Sequence, residues 1–178
     1  TLFGFYKPRA GQILWEGEWV ARKKIALLET ENYFYPNMKG LEYLQLIRNN
    51  LPQIERWNSV FDLPLDQLTQ EYSSGMKKKL ALMGVLLQDR EVLLLDEPFN
   101  GVDLESNEKI ISIIKRLRSN KTILVSSHIL GALTEISDQI HVLDQGRITQ
   151  AIPKASFGDF ERQLKKDIQK NIDQLFTK

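Results

Sequence analysis

Near residue 91 the chain switches from helical periodicity to an alternation of strands and helices. Before the switch, Leu41, Leu44 and Ile47 recur at helical spacing, and Pro52 opens a further segment. Ser73-Ser74-Gly75 stands before a helix whose apolar positions are Met76, Leu80, Met83 and Leu87. After the switch, Val92–Leu95 is apolar at every position, which predicts a strand buried on both faces in a helix-covered parallel sheet. Ile110, Ile113, Ile114 and Leu117 line one helix face, and Thr122–Val125 reads as a second buried strand. A short helix is expected over 129–136, then strands at Ile140–Leu143 and Arg147–Thr149 around the turn Asp144-Gln145-Gly146. Near the start, Gln12–Trp15 and Ile25–Leu28 are strand-like, with a turn at Glu16-Gly17-Glu18 between them. From Phe157, the positions Phe160, Leu164, Ile168, Ile172 and Leu175 predict an amphipathic helix. The sum is an α/β core over 11–28 and 91–150, interrupted by a helical insert at about 40–90, with neither repeats nor a low-complexity linker.

Composition narrows the class. The length of 178 residues suits one domain with a sizeable core. A net charge of +1 gives no global pull toward nucleic acid or acidic lipid. With no cysteine, a disulfide scaffold, a thiol nucleophile and a cysteine-ligated metal are excluded. The strongly apolar run Leu80–Leu87 falls far short of the ~20 residues a spanning helix needs.

In a parallel α/β sheet, ligands bind at the carboxyl ends of the strands. Asp96-Glu97 follows one buried strand, Ser126-Ser127-His128 follows the next, and Glu29-Thr30-Glu31 follows Ile25–Leu28, so one converging site is expected. Asp96 suits magnesium, a hard cation that takes oxygen ligands and keeps several waters. Glu97 would point elsewhere and orient or deprotonate an attacking water. The plainer alternative is that these acids cap or pair with a neighbouring helix. His128 after its strand suits a hydrogen bond to a terminal phosphate, or a purely structural role; His141, inside a strand, reads as structural. Ser73, Ser74 and Gly75 before a helix suit an anion at the positive end of the helix dipole, or an ordinary serine cap. Lys77-Lys78-Lys79 reads as a solvated helix face that adds some attraction for anions, and Asp103 as the cap of a helix from Leu104. Tyr33-Phe34-Tyr35-Pro36 is either core or an exposed docking surface.

The series E-Y-S-S-G-M-K-K-K-L-A-L, V-L-L-L-D-E-P-F-N-G-V-D and T-I-L-V-S-S-H, in that order, resembles the ATP-binding subunit of ABC transporters. Y-S-S-G-M is similar to the family's L-S-G-G-Q signature, L-L-L-D-E-P to its Walker B strand, N-G-V-D to its D-loop and His128 to its switch histidine. G-F-Y-K-P-R-A-G-Q-I-L at 4–14 and H-V-L-D-Q-G-R-I at 141–148 resemble flanking segments, so the likeness covers nearly the whole chain. There are two departures. Thr30 stands at the Q-loop glutamine, between Glu29 and Glu31, and the signature has Ser74 and Met76 for glycine and glutamine.

The resemblance implies a P-loop NTPase-like ATPase core with a mainly parallel sheet, an antiparallel β piece and a helical insert. Residues 1–39 and 91–150 would be core, 40–90 the helical subdomain with the signature, and 151–178 a C-terminal helix. It implies ATP and Mg2+ as ligands. Glu97 and His128 would be catalytic, Asp96 and Thr30 would hold the metal, and Ser73, Ser74, Gly75 and Asp103 would contact nucleotide. It implies a second ATP-binding cassette paired head to tail, a separate membrane-spanning transporter subunit of exporter type, no nucleic-acid partner, and a cytoplasmic place at the inner face of the membrane. No G-x-x-x-x-G-K-[ST] occurs in the sequence. The family's phosphate-binding loop is expected upstream of Gly4, Thr1 within or just after the helix that follows it, and residues 17–25 are shorter than the family pattern. Without that loop, residues 1–178 are expected to bind ATP poorly. Two alternatives are a soluble ABC-type ATPase acting on ribosomes or DNA, and a non-catalytic regulatory cassette.

Overall fold

A computed structural model describes residues 3–19 and 22–176, so Thr1 and the middle of the 17–25 stretch lie outside the described residues. The fold is α/β, with a parallel sheet, antiparallel pairs and helices, as expected. It forms two compact units, one running to His128 and one from Ile129.

In the first unit, Leu14–Trp15 (β1) pairs antiparallel with Glu18–Trp19 (β2). The two residues between them, Glu16 and Gly17, have φ of 52° and 83°, as a tight hairpin turn of this twist requires. The first strand is thus shorter than the expected 12–15, and Ile25–Leu28 (β3) belongs to a different sheet. Helices Gly40–Ile47 (α1) and Leu51–Phe61 (α2) follow, the second capped by Asn50, whose side chain accepts from the Gln53 amide at 3.1 Å. Both pack against Ser74–Leu87 (α3). From Leu80 to Leu87, α3 is buried all round, which marks a helix surrounded by protein. α1 approaches α3 at Gly84, where a Cβ would stand 2.6 Å from Ile47 Cδ1 and 3.2 Å from the Tyr43 ring, so those side-chain ends would have to shift.

Val92–Asp96 (β4) runs parallel between β3 and Thr122–Ser126 (β5). The register sets Leu28 beside Leu95 and Asp96 beside Ser126. Ala26, Leu28, Leu93 and Leu95 fill one face of the sheet. On the other face, Ile25, Val92 and Leu94 form a cluster with Phe3, Trp15 and Leu27 packed against it. Leu104–Leu117 (α4) buries Ile110, Ile111 and Ile114, while Ile113 and Leu117 are half-buried.

One expectation is corrected. β5 is not buried on both faces: Thr122, Leu124 and Ser126 are exposed, Leu124 by 52%, and Ile123 and Val125 are half-buried. β3 and β5 are both outer strands of the described three-stranded sheet, but the apolar cluster on the Leu124 face gathers Ile25, Val92 and Leu94 of β3 and β4, with Phe3, Trp15 and Leu27 packed against them, and does not include Leu124.

In the second unit, Leu130–Ile136 (α5) precedes Gln139–Asp144 (β6) and Arg147–Pro153 (β7), an antiparallel pair that turns at Gln145-Gly146 with φ of 47° and 77°. β7 continues past the expected Thr149 to Pro153. His141 lies in β6 and is exposed. Ile140, Ile152 and Phe157 form the core, with Leu130, Leu133, Val142 and Phe160 against them. Phe157–Phe176 (α6) leaves Leu164, Ile168 and Ile172 partly exposed; the side chain of Leu175 lies outside the described residues.

Candidate functional site

The carboxyl ends of β3, β4 and β5 bring together Thr30, Asp96, Glu97, Ser126 and His128. Asp96 ends β4, and its carboxylate accepts one hydrogen bond from Thr30 Oγ1 at 2.5 Å and another from Ser126 Oγ. The second follows from the register, which makes Asp96 and Ser126 same-face neighbours on adjacent strands. The Ser126 hydroxyl, then that of Thr30, holds the Asp96 carboxyl below the ordinary carboxylate range; burial opposes them and Lys78 adds to them.

A folded pKa below the unfolded one contributes stability that is complete above the ordinary carboxylate range and lost as pH falls through the folded value. Ser126→Ala is therefore expected to raise the Asp96 pKa and to move that loss to higher pH. Carbon-13 NMR titration of the carboxyl groups, without metal, checks this; an unmoved Asp96 midpoint would show that the serine hydroxyl is not the main cause.

Glu97 leaves the strand with φ +47°, a left-handed conformation that is uncommon for a side chain of its kind. Its amide donates to Ser126 O at 3.0 Å and its carbonyl accepts from the Asn100 amide at 3.2 Å, so both backbone groups are tied. Its side chain meets His128 instead of Asp96: Glu97 Oε2 lies 3.0 Å from His128 Nδ1. The histidine ring is mostly exposed and Glu97 mostly covered. The His128 contact thus anchors the carboxylate through Oε2.

One contributor escapes a reading of the sequence alone and another is legible only in part. Ser126 stands at the strand end expected at the site, but its partnership with Asp96 comes from the register. Lys78 belongs by its neighbours to a solvated face, and the structure corrects this. It is only 5% exposed, and its ammonium donates to Glu29 O at 3.1 Å and Thr30 O at 2.7 Å. Burial pushes its pKa down, while Asp96 and Glu97 pull it back up. The signal lies in the helix spacing: Ala81, Leu82 and Val85, three, four and seven residues on, are all apolar and buried. Lys77 and Lys79 are half-buried.

The oxygen set fits Mg2+, with one carboxylate and two hydroxyls, all hard donors. Among the described residues no group of three or more His, Cys, Asp and Glu could hold a metal.

Ser73, Ser74 and Gly75 sit at the start of α3, where Ser73 Oγ accepts from the Met76 amide at 3.2 Å. The serine cap is therefore present. Ser73 and Ser74 stay exposed, with free helix amides beside them. Gly75 has a reason of its own: a Cβ there would stand 2.8 Å from Gly101 O, so only glycine lets α3 meet the loop before α4. Asp103 caps α4, its two oxygens accepting from the Ser106 amide and hydroxyl at 2.8 Å each, with Lys79 Nζ at 3.8 Å. Its carboxylate is engaged at its own helix start and does not join the Asp96 cluster.

The aromatic run divides. Phe34 packs edge-on against Tyr43, with ring centroids 4.8 Å apart, while Tyr33 and Tyr35 pair with each other and stay exposed. Leu46 is exposed as well, lining a shallow groove with Pro36, Met38 and Glu42.

The sequence profile of the family described as "ABC transporter" matches residues 1–100. The bacitracin transport ATP-binding protein BcrA of Bacillus licheniformis is 30% identical over 169 residues, which is 85% of this chain and 55% of that protein. The cobalt import ATP-binding protein CbiO of Salmonella typhimurium is 30% identical over 83% of this chain and 62% of its own length. A solved structure of the ATP-binding subunit of an ABC transporter superposes with a TM-score of 0.78 at 24% identity, covering 92% of this chain and 74% of that one. The chain spans about half the length of the curated relatives it matches.

Proposed function

This chain belongs to the ABC transporter family, and from that premise we propose that it is the part of an ATP-hydrolysing subunit that carries the signature, Walker B and switch motifs. The observation that carries the proposal is the contact between Glu97 Oε2 and His128 Nδ1, 3.0 Å apart, beside an Asp96 held by two hydroxyls. Glu97 acts as general base toward a water attacking the terminal phosphate of ATP. His128 orients Glu97 through one ring nitrogen and leaves the other for the phosphate. Asp96 and Thr30, with Ser126, hold Mg2+, which when bound neutralises charge on the phosphates. Ser73, Ser74 and Gly75, at a helix start with free amides, bind the terminal phosphate of a nucleotide held by a second cassette. Asp103 caps the start of α4, and in this reading it contacts that nucleotide at its edge.

The partner is a membrane-spanning subunit on a separate protein or segment. Among the described residues no helix is long and apolar enough to cross a membrane. The exposed Tyr33, Tyr35 and Leu46 give that partner an apolar surface. The exporter-like direction is supported by the short insert and the Y-S-S-G-M signature; the relatives include both a bacitracin transporter and a cobalt importer. The near-neutral charge supports a partner other than nucleic acid, and a place at the cytoplasmic face of the membrane follows from the coupling.

The test is made on the intact protein. Magnesium-dependent ATP hydrolysis and co-fractionation with membranes are expected. Failure to hydrolyse ATP in the presence of the membrane partner would remove the catalytic reading. Co-fractionation with ribosomes or DNA would replace transport by the soluble alternative.

A further inference from the structure

The proposed mechanism leaves one buried charge unused. A lysine that is 5% exposed has surrendered most of its hydration, a cost only good partners offset. Its partners are not carboxylates. Lys78 Nζ donates to the backbone carbonyls of Glu29 and Thr30, and both Asp96 oxygens are left to Thr30 and Ser126. The pairing of β3 with β4 ends at Leu28, so Glu29 and Thr30 lie beyond the sheet ladder. An ammonium that bridges two successive carbonyls just past a strand end fixes the path of the chain there. Thr30 carries both the bridged carbonyl, 2.7 Å from Nζ, and the hydroxyl on Asp96, so the two contacts constrain a single residue.

Resting on the reading of Asp96 and Thr30 as the metal edge of the site, we propose that Lys78 is a positioning residue for that edge. By clamping Glu29 and Thr30, it holds the Thr30 hydroxyl at Asp96. Lys78 belongs to α3, about one turn after Ser74 and Gly75, so the metal edge is tied to the helix that presents the signature. The short threonine side chain makes the path of the backbone decisive for where its hydroxyl lies.

The test is a double-mutant cycle on the intact protein with ATP, using Mn2+ as a paramagnetic probe and its electron paramagnetic resonance signal as the measure of bound metal. Lys78→Met and Thr30→Val are each expected to weaken Mn2+ binding about tenfold or more, the usual cost of losing a group that supports a metal ligand. The double variant is expected to be no weaker than either single variant, because both changes break one arrangement. Lys78→Arg, which keeps the charge and the donors, is expected to recover most of the affinity. If Lys78→Met does not fold, Lys78→Gln is used in the same cycle. Effects that multiply in the double variant overturn the proposal, and so does unchanged affinity. Tighter Mn2+ binding in Lys78→Met overturns it too, because the lysine would then act only as a repelling charge. A wild-type protein that takes up no Mn2+ with ATP overturns both this inference and the metal-site reading, which separates the two failures.

Discussion

Replacing Glu97 with glutamine in the intact protein is expected to slow ATP hydrolysis by about 10²–10⁴-fold, the usual contribution of a positioned general base. ATP binding is expected to persist. Glutamine keeps the size of the side chain and an acceptor oxygen near His128, so the contact at 3.0 Å can survive in altered form. The amide cannot take a proton from water. Asp96 is not expected to substitute, because its carboxylate is held by the Thr30 and Ser126 hydroxyls and is assigned to the metal, whereas Glu97 is turned to His128. The backbone cannot swing Glu97 away, since its amide is bonded to Ser126 O and its carbonyl receives Asn100. Phosphate release and equilibrium ATP binding, measured on wild type and variant, separate the two effects. Turnover within about threefold of wild type would fall well outside the range expected for a lost base and would remove Glu97 from that role.

Phe99→Ala is expected to cost about 3–5 kcal/mol of stability, the range for deleting a buried aromatic side chain. Phe99 is 2% exposed, and Pro98 before it is also among the most deeply buried residues. Together they anchor the chain directly after Glu97. A loss of this size is a large share of the ~5–15 kcal/mol that keeps a domain folded. Chemical denaturation of the two proteins measures it. Phe99→Leu, which refills most of the cavity, is expected to recover more than half of the loss. A cost below about 1 kcal/mol for alanine would mean that the pocket collapses around the gap and that Phe99 does not brace the site.

The local elements were legible wherever a single stretch carried its own instructions. Val92–Leu95 announced a strand covered on both faces and is one. Asp103 was readable as a cap because a short acceptor before a helical run meets free amides, and it accepts from Ser106. The turn Asp144-Gln145-Gly146 was readable because only certain residues tolerate φ near +47° and +77°. The convergence of Thr30, Asp96, Glu97 and His128 followed from the rule that parallel strands deliver their carboxyl ends to one edge.

What the sequence could not supply was everything that depends on a neighbour far along the chain. β5 looks like β4 in composition, yet Leu124 is exposed because the apolar cluster that covers its register neighbour Leu94 does not include it. Gly75 could be assigned to a phosphate or to nothing. The structure gives it the Gly101 carbonyl, a neighbour brought in by the loop before α4. Ser126 became a partner of Asp96 only through strand register. Lys78 sits in a run of three lysines that by charge alone belongs in water. The pattern of a helix fixes which residues share a face, but not whether that face meets solvent or two backbone carbonyls from 48 and 49 residues earlier. Periodicity and capping are local physics and can be read along the chain, whereas burial and partnership arise only when distant segments exclude water together.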